Sequence, residues 1–288
     1  MNVSVLSSGV IGLAAGENHT CALTSNGGML CWGANAFLQL GNGTNVDSKI
    51  PVTVFGLSSG VIDLGAGDNH TCALTSAGGV KCWGYNIYGQ LGDGSNTNRN
   101  TPVAVSGLSG GAIGLTVGGN HVCALPAAGG VKCWGLNSNG QLGDGSNMNR
   151  NTPAAVSGLS GSVNSMVVSA GHTCAVLAGA APLRCWGYNQ YGQLGTGDKT
   201  SSNIPVISKW LIADGLVLDQ KTEVIILPGW ISLVVVPAQP LAEPRVVTLR
   251  EEPTPPPPCT NCTVPIEAAM LLDDNKPPIP MFFFSRYR

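Results

Sequence analysis

The sequence predicts an all-β chain: a β-propeller of four-stranded blades, recognisable over four repeats, followed by an extended C-terminal region. Three observations carry this reading. The chain's four histidines, His19, His70, His121 and His172, recur every 51 residues. Cysteine pairs and Trp32, Trp83, Trp134 and Trp186 follow in step, with one extra residue in the fourth repeat. Each period holds four short apolar segments separated by Gly- and Asn-rich turns, which is the pattern of a propeller blade. A motif made four times over reads as scaffold before it reads as an active site.

The second repeat shows each element in turn. Val61–Leu64 supplies the first strand and His70–Thr75 the second, both by composition and alternation. Gly78-Gly79 follows, a pair that tolerates the positive φ of a hairpin turn. Val80–Trp83 is the third strand, and Pro102–Leu108 is expected to be the fourth. A Gly/Asn loop over Tyr85–Thr101 joins those last two.

Side chains alternate across a strand. If Leu74 stands opposite Val80, Cys72 falls opposite Cys82, at a spacing a disulfide can bridge. The same arithmetic pairs Cys21 with Cys31, Cys123 with Cys133 and Cys174 with Cys185. In the fourth repeat the extra residue falls in the turn segment Leu177–Leu183. The rival reading is zinc, because His70, Cys72 and Cys82 are legitimate ligands. A fourth ligand is not apparent, and His70 and Cys72 are only two apart. Free thiols are the remaining alternative. Disulfides would place the chain outside the cell or at its surface, in an oxidising compartment.

The tryptophans face away from the cysteines and read as packing against a neighbouring blade; ligand stacking is the alternative. Lys81, Lys132 and Arg184 share that face near the turn and are expected to snorkel outward. The Gly-Gln-Leu-Gly strings at Gly89, Gly140 and Gly192, with the variant Leu38–Gly41, lack the glycine order of a dinucleotide fingerprint. They read as turns. Asp93–Asn100 is rich in oxygen but short of carboxylates at alternate positions for a calcium loop.

The net charge of −2 offers no global field for nucleic acid or an anionic membrane. Charged residues make up 10% of the chain, against about 25% in ordinary soluble proteins. Such a surface is weakly defended against association, although Asn, Ser, Thr and Gly supply solubility as well. No run of about 20 apolar residues suggests a membrane span. The start, Met1–His19, has the small residues of a signal-peptide cleavage site at Ala14-Ala15-Gly16 but no basic leader. It also matches Leu57–His70, and so reads as the first repeat's own strand.

The string HTCALTSAGGVKCWGYNIYGQLGDG, from His70, resembles the repeat of the regulator of chromosome condensation family. The His-Thr strand, the turn, the Trp-Gly pair and the Gly-Gln-Leu-Gly turn carry the resemblance, over about residues 1–209. It implies a β-propeller, usually of about seven blades. For nuclear members it implies nucleotide exchange on a small GTPase and binding to chromatin; for others, protein binding, including inhibition of a beta-lactamase by a secreted relative. This chain departs from the nuclear type in its paired cysteines and in having no basic tail, and is similar to bacterial extracellular versions. No exchange-site residue is matched, so exchange activity is not carried over.

Repeats at about 1–55, 56–106, 107–157 and 158–209 make up the propeller part; 210–250 is strand-rich, and 251–288 is a proline-rich tail. Four blades are few, and an unclosed propeller exposes an edge and an apolar face. The C-terminal segment or another subunit is expected to cover them. Thr222–Pro237 reads as two strands turning at Pro228-Gly229, and Arg245–Leu249 as a third. Trp230, Ile231, Val234 and Val236 there, with Phe282, Phe283 and Phe284 at the end, are candidate interface residues. Glu251–Pro258 has the composition of a stiff linker, and Cys259 and Cys262 read as a local or intersubunit disulfide rather than a zinc or redox pair.

No catalytic constellation stands out, and no cofactor or metal is expected. The first reading is a non-enzymatic extracellular protein that self-assembles into an oligomer or filament through its C-terminal arm. The second is a monomeric module that binds a protein or glycan through its loops. A GTPase exchange factor comes last.

Overall fold

The computed structural model describes residues 9–208 apart from 160, 162 and 178–182, and beyond them the backbone of five strands. Blade one comprises β1 (Val10–Ala15), β2 (His19–Thr24), β3 (Met29–Gly33) and β4 (Ser48–Thr53). Blade two comprises β5 (Val61–Ala66), β6 (His70–Thr75), β7 (Val80–Gly84) and β8 (Arg99–Ala104). Blade three comprises β9 (Ala112–Val117), β10 (His121–Pro126), β11 (Lys132–Gly135) and β12 (Arg150–Ala155). Blade four comprises β13 (Val163–Val168), β14 (His172–Leu177), β15 (Leu183–Gly187) and β16 (Ser202–Ile207). Each blade is an antiparallel meander in chain order, and no helix occurs among the described residues. First strands of successive blades face one another, β1 against β5, β5 against β9 and β9 against β13. The propeller's inner side is therefore built from first strands and its outer rim from fourth strands.

Met1–Ser208 forms one compact unit and Lys209–Arg288 a second. In the second, β17 (Trp210–Ile212) pairs with β18 (Leu216–Leu218). A three-stranded antiparallel sheet follows from β19 (Thr222–Leu227), β20 (Trp230–Val235) and β21 (Arg245–Arg250). Trp230, Ile231 and Val234 lie on β20. Val236, Cys259, Cys262, Phe282, Phe283 and Phe284 lie outside the described residues.

The central hairpin of blade two has Leu74 opposite Val80 and Cys72 opposite Cys82. Their Cα atoms are 4.1 Å apart and the sulfurs are bonded. Cys21–Cys31, Cys123–Cys133 and Cys174–Cys185 are bonded in the same way. The turn beyond the pair depends on Gly78, at φ +75°; a Cβ there would stand 2.5 Å from the backbone nitrogen of Gly111. Its carbonyl accepts from Ala112 N at 2.9 Å, which ties the hairpin of one blade to the first strand of the next.

The fourth strand differs from expectation. It runs over Arg99–Ala104 rather than Pro102–Leu108. Between the pairs Cys82–Val103 and Gly84–Arg99 the register slips, because β8 carries extra residues opposite Trp83. Pro102 sits inside this strand without penalty, since the outermost strand has a free edge that needs no N–H. The inner strands bulge as well: the pairing of β1, β5 and β9 skips Ile11, Ile62 and Ile113. The bulges turn these three side chains outward, and all are more than half exposed.

The core lies between blades rather than within them. Cys21, Leu23 and Cys31 of blade one pack with Ala73 and Trp83 of blade two. Cys72, Leu74 and Cys82 pack with Ala124 and Trp134 of blade three. Cys123 and Cys133 pack with Ala175 and Trp186 of blade four. Each sheet thus has a cystine face and a tryptophan face, and the cystine face of one blade seats on the tryptophan face of the next. Each bridge holds flat the surface that receives its neighbour's indole. Replacing Cys72 and Cys82 together by alanine should leave the fold intact and cost about 2–3 kcal/mol, the loss expected for a bridge over a loop of this length. Urea unfolding of the oxidised protein measures it.

Candidate functional site

The repeated His, Thr, Gln and Trp meet at the blade junctions. At the first junction the backbone carbonyl of Gln39 accepts two hydrogen bonds from blade two, from Thr71 Oγ1 and from Trp83 Nε1, both at 2.9 Å. Thr71 spends its proton on that carbonyl, so its oxygen is free to accept from His19 Nε2, also at 2.9 Å. This fixes the Nε2–H tautomer of His19. The third junction repeats the arrangement. Gln141 O accepts from Thr173 Oγ1 at 3.0 Å and Trp186 Nε1 at 2.9 Å, and His121 Nε2 meets Thr173 Oγ1 at 2.9 Å. The last glycine of Gly-Gln-Leu-Gly belongs to the same contact. A Cβ on Gly92, at φ +65°, would lie 2.7 Å from the Trp134 indole nitrogen. Only glycine both turns there and lets the indole in.

Two residues break the pattern. Blade three has Val122 where its neighbours have threonine, so Gln90 O accepts only from Trp134 Nε1, at 3.0 Å. His70 is then fully buried with no hydrogen-bond partner at either ring nitrogen. Blade four has Gly171 where the others have Asn18, Asn69 and Asn120. Gln39 and Gln90 donate through Nε2 to Asn69 and Asn120, whereas Gln141 Nε2 has no partner. Burial pushes His19 down to about 4 and His70 and His121 down to about 3; for His70 and His121 the neighbouring histidines add to the shift. His172 is lowered in the same direction by burial. These are neutral structural histidines, not acid–base groups poised near neutrality.

The end blades carry the same groups without their counterparts. Thr71, Trp83, Trp134, Thr173 and Trp186 are fully buried, but Thr20 and Trp32 of blade one are only partly so. Leu13 is 67% exposed, while Leu64 packs into the first junction and Leu115 is half-buried. At the other end His172 and Gln193 are partly exposed and Val176 is 38% exposed.

One rim gathers the loops between first and second strands and those between third and fourth. Asn35, Asn86, Asn137 and Asn189, each three residues after a tryptophan, clamp the long loops from within. Asn86 Nδ2 donates to the carbonyls of Ser95 and Thr97 at 3.1 and 3.0 Å, and its Oδ1 accepts from Leu91 N at 2.9 Å. Asp93 accepts from Ser95 and pairs with Arg99 at 2.9 Å. Burial works to raise this carboxyl, but the Ser95 and Arg99 bonds outweigh it and leave it lowered. Arg150 and Asp144 repeat the pair at 2.7 Å. The cation in these loops is thus an arginine, and no group of three or more metal-binding side chains exists among the described residues. Near the axis, Glu17, Asp68 and Gly119 line a shallow cavity. Outside it Phe37 and Tyr85 stack edge-on across blades one and two, ring centres 5.0 Å apart. Ile87 and Tyr191 stand out from the rim, 55% and 84% exposed.

Regulator of chromosome condensation (RCC1) repeats match residues 26–74, 77–125, 128–176 and 185–212, more than half the chain. A second profile of the same repeat matches 10–39, 61–90 and 113–141. This chain belongs to the RCC1-repeat family. The matches over 26–74, 77–125 and 128–176 each begin at a hairpin and end in the second strand of the following blade, so these repeats straddle a junction. Among relatives, the ultraviolet-B receptor UVR8 of Arabidopsis thaliana is 31% identical over 196 residues, covering 67% of this chain and 44% of the receptor. The human E3 ubiquitin-protein ligase HERC2 is 33% identical over 204 residues, covering 69% of this chain and 4% of the ligase. The chain therefore spans less than half of either relative. Among solved structures, yeast RCC1 (Prp20) bound to Kap60 aligns with TM-score 0.60 at 23% identity, over 81% of this chain and 59% of that one. Human WBSCR16 aligns with TM-score 0.59 at 24% identity, over 69% and 51%. These likenesses fix the RCC1-type propeller fold.

The junction chemistry yields two expectations. Val122→Thr supplies His70 with an acceptor and Gln90 O with a second donor, and should stabilise the protein by about 1 kcal/mol; Thr71→Val should destabilise it by about 1–3 kcal/mol. Urea midpoints of the pair, opposite in sign, test the assignment. The buried histidines also set an acid limit. The unfolded chain takes up protons near pH 6.5, the folded one only near pH 3–4. Stability should be level above about pH 6.5 and fall towards pH 4 by roughly 1.4 kcal/mol per histidine per pH unit. Asp63 and Asp68, both raised chiefly by burial, oppose this only near their own range. A flat profile of unfolding free energy down to pH 4.5 would overturn the reading.

Proposed function

We propose that this chain is a non-catalytic, extracellular propeller scaffold that works by association, first with further copies of itself. What carries the reading is the state of the end blades. Trp32 and Thr20 at one end, and His172 and Gln193 at the other, stand at positions that every internal junction buries, and here they remain part-exposed, while Leu13 and Val176 are exposed where their internal counterparts are half-buried or buried. Exposed apolar faces of this kind call for a partner, and a surface with 10% charged residues does little to repel one. His19, His70 and His121 are buried within the blade junctions and held neutral there. Four cystines, one in each blade, fit an oxidising compartment. The C-terminal arm, with Phe282, Phe283 and Phe284, is assigned to the same assembly as a strand-adding or docking segment.

A second reading rests on the rim. Phe37, Tyr85, Tyr88, Ile87 and Tyr191 form an aromatic and apolar border around the acidic centre of Glu17 and Asp68, a surface suited to a protein or glycan. The solved structures of the yeast relative Prp20 concern binding to Kap60, to Gsp1p and to histones. At under 25% identity those partners are not transferred to this chain.

The two readings separate in solution. Sedimentation equilibrium on the oxidised full chain should give a mass that rises with concentration above 29.4 kDa. Deleting Pro255–Arg288 should weaken that association if the arm contributes. A single-copy species at every concentration favours the recognition module.

A further inference from the structure

We propose that the rim over blades one and two is the docking surface for a basic segment of a partner protein, whose cationic side chains meet the Glu17 and Asp68 carboxylates and the neighbouring rings of Phe37, Tyr85 and Tyr88. The inference rests on the second reading, recognition through the rim, and names the chemistry of the partner.

The patch is made once, whereas the scaffold beneath it is made four times. The loop position held by Glu17 and Asp68 carries Gly119 in blade three and Ala170 in blade four. The position of Tyr85 carries Ala34 in blade one and Leu136 in blade three, and the position of Phe37 and Tyr88 carries Asn139 in blade three. Blade four has the rings of Tyr188 and Tyr191, but Ala170 stands in place of the acid. Hydrogen bonds hold the rings and the carboxylates together. Asp68 N donates to Gly119 O at 2.9 Å and Glu17 N to Asp68 O at 3.3 Å, which sets the acid-bearing loops side by side. Tyr85 N donates to the carbonyl of Asn69, the residue after Asp68, at 2.9 Å. The Asp68 carboxylate accepts from Asn120 Nδ2 at 2.8 Å, Asn120 Oδ1 accepts from Gln90 Nε2 at 3.2 Å, and Gln90 Oε1 accepts from Tyr88 N at 3.0 Å. Gln90 is fully buried, so the link from ring-bearing loop to carboxylate is fixed from within. Tyr85 meets Phe37 and Tyr88 edge-on, with ring centres 5.0 and 6.2 Å away.

The charge of this patch selects the partner. Glu17 is exposed and Asp68 half-buried, and neither forms an ion pair among the described residues. The rim arginines Arg99 and Arg150 are already paired with Asp93 and Asp144 of their own loops. Burial and the Glu17 charge both raise the Asp68 carboxyl, and the Asn120 bond opposes them. A cation from outside relieves the repulsion between the two acids, and aromatic faces beside them attract the same cation. Arginine fits both halves, since its planar head pairs with a carboxylate and stacks on a ring. A neutral glycan would stack on the rings but leave the two charges uncompensated, and an acidic partner would be repelled. The patch spans the junctions among blades one, two and three, and does not depend on the end faces.

The test uses the oxidised full chain, with near-UV circular dichroism to show that each variant is folded. The probes are two short fluorescent peptides, one alternating arginine with glycine and one with neutral citrulline in place of arginine, read by fluorescence anisotropy. The arginine probe should bind, and the citrulline probe should bind about tenfold more weakly or worse. Asp68→Asn keeps an acceptor for Asn120 but removes the charge, and should weaken the arginine probe about tenfold. Tyr88→Ala should weaken it about two- to fivefold, the range of an exposed cation–π contact. Asp63→Asn removes the same charge from the strand leading to Asp68, with Oδ1 still able to accept from Leu64 N, and should leave binding unchanged. Equal losses in Asp63→Asn and Asp68→Asn would mean diffuse attraction and overturn the site. Deleting Pro255–Arg288, which removes Arg286 and Arg288, should also leave probe binding unchanged; tighter binding would show this chain's own arm on the rim and overturn the assignment to a partner. Equal binding of the two peptides, or binding of neutral cellohexaose that Tyr88→Ala abolishes, overturns the basic partner while the rim reading stands. Probe binding untouched by both rim variants, or no binding of any of the three probes, overturns both.

Discussion

One backbone carbonyl per junction holds this propeller in register. Gln39 O and Gln141 O each take a hydroxyl and an indole from the following blade. A carbonyl has two lone pairs, and both are used, at a buried position. Buried donors left unpaired would each cost about 1–3 kcal/mol, so any sliding of one blade over the next breaks two bonds together. The histidine above the threonine is the third member, and it adds direction: Nε2–H donates only because the threonine proton is already committed. Apolar contact between cystine and indole supplies the attraction, and the polar triad supplies the position.

This division of labour explains why the repeat matters more than the blade. Among the described residues the hydrophobic clusters are shared between neighbouring blades. A single blade would expose both its faces and bury almost nothing. Stability in such arrays is a sum over neighbour contacts, and terminal units are always the weakest. Val122 shows that the polar part tolerates loss. Its junction keeps the indole bond and the packing, and leaves His70 sealed in without a partner. Apolar closure at that junction therefore outweighs an orphaned imidazole.

Much of this was legible in the sequence, and the limits have physical causes. The 51-residue period, the hairpin turn at Gly78 and the two faces of each sheet follow from local alternation and turn chemistry. The fourth strand was misplaced because Pro-Val-Ala-Val alternates well, while the true pairing, Gly84 with Arg99, is set by a slip opposite Trp83 that no local pattern announces. The His–Thr contact joins residues 52 apart. Its only trace in the sequence is that threonine follows histidine in three of four repeats, and the threonine serves the histidine of the preceding repeat, not its own neighbour. The asparagine three residues after each tryptophan was equally fixed in position, but a loop clamp leaves no signature beyond its recurrence.

Family membership and function part at the same place. Everything that identifies the RCC1 repeat is spent inside the junctions: the histidine on a threonine, the tryptophan on a carbonyl, the last glycine on making room for an indole. Residues used in this way cannot also recognise a ligand, because moving them opens the core. What distinguishes one such propeller from another must lie where the repeat is silent, on the rim loops. In this chain the rim is aromatic around two carboxylates. Glu17, Asp68 and the rings of Phe37, Tyr85 and Tyr88 stand in blades one and two, while the clamp asparagines beneath the loops recur in all four. The same loop is therefore constant where it must hold its shape and variable where it meets a partner.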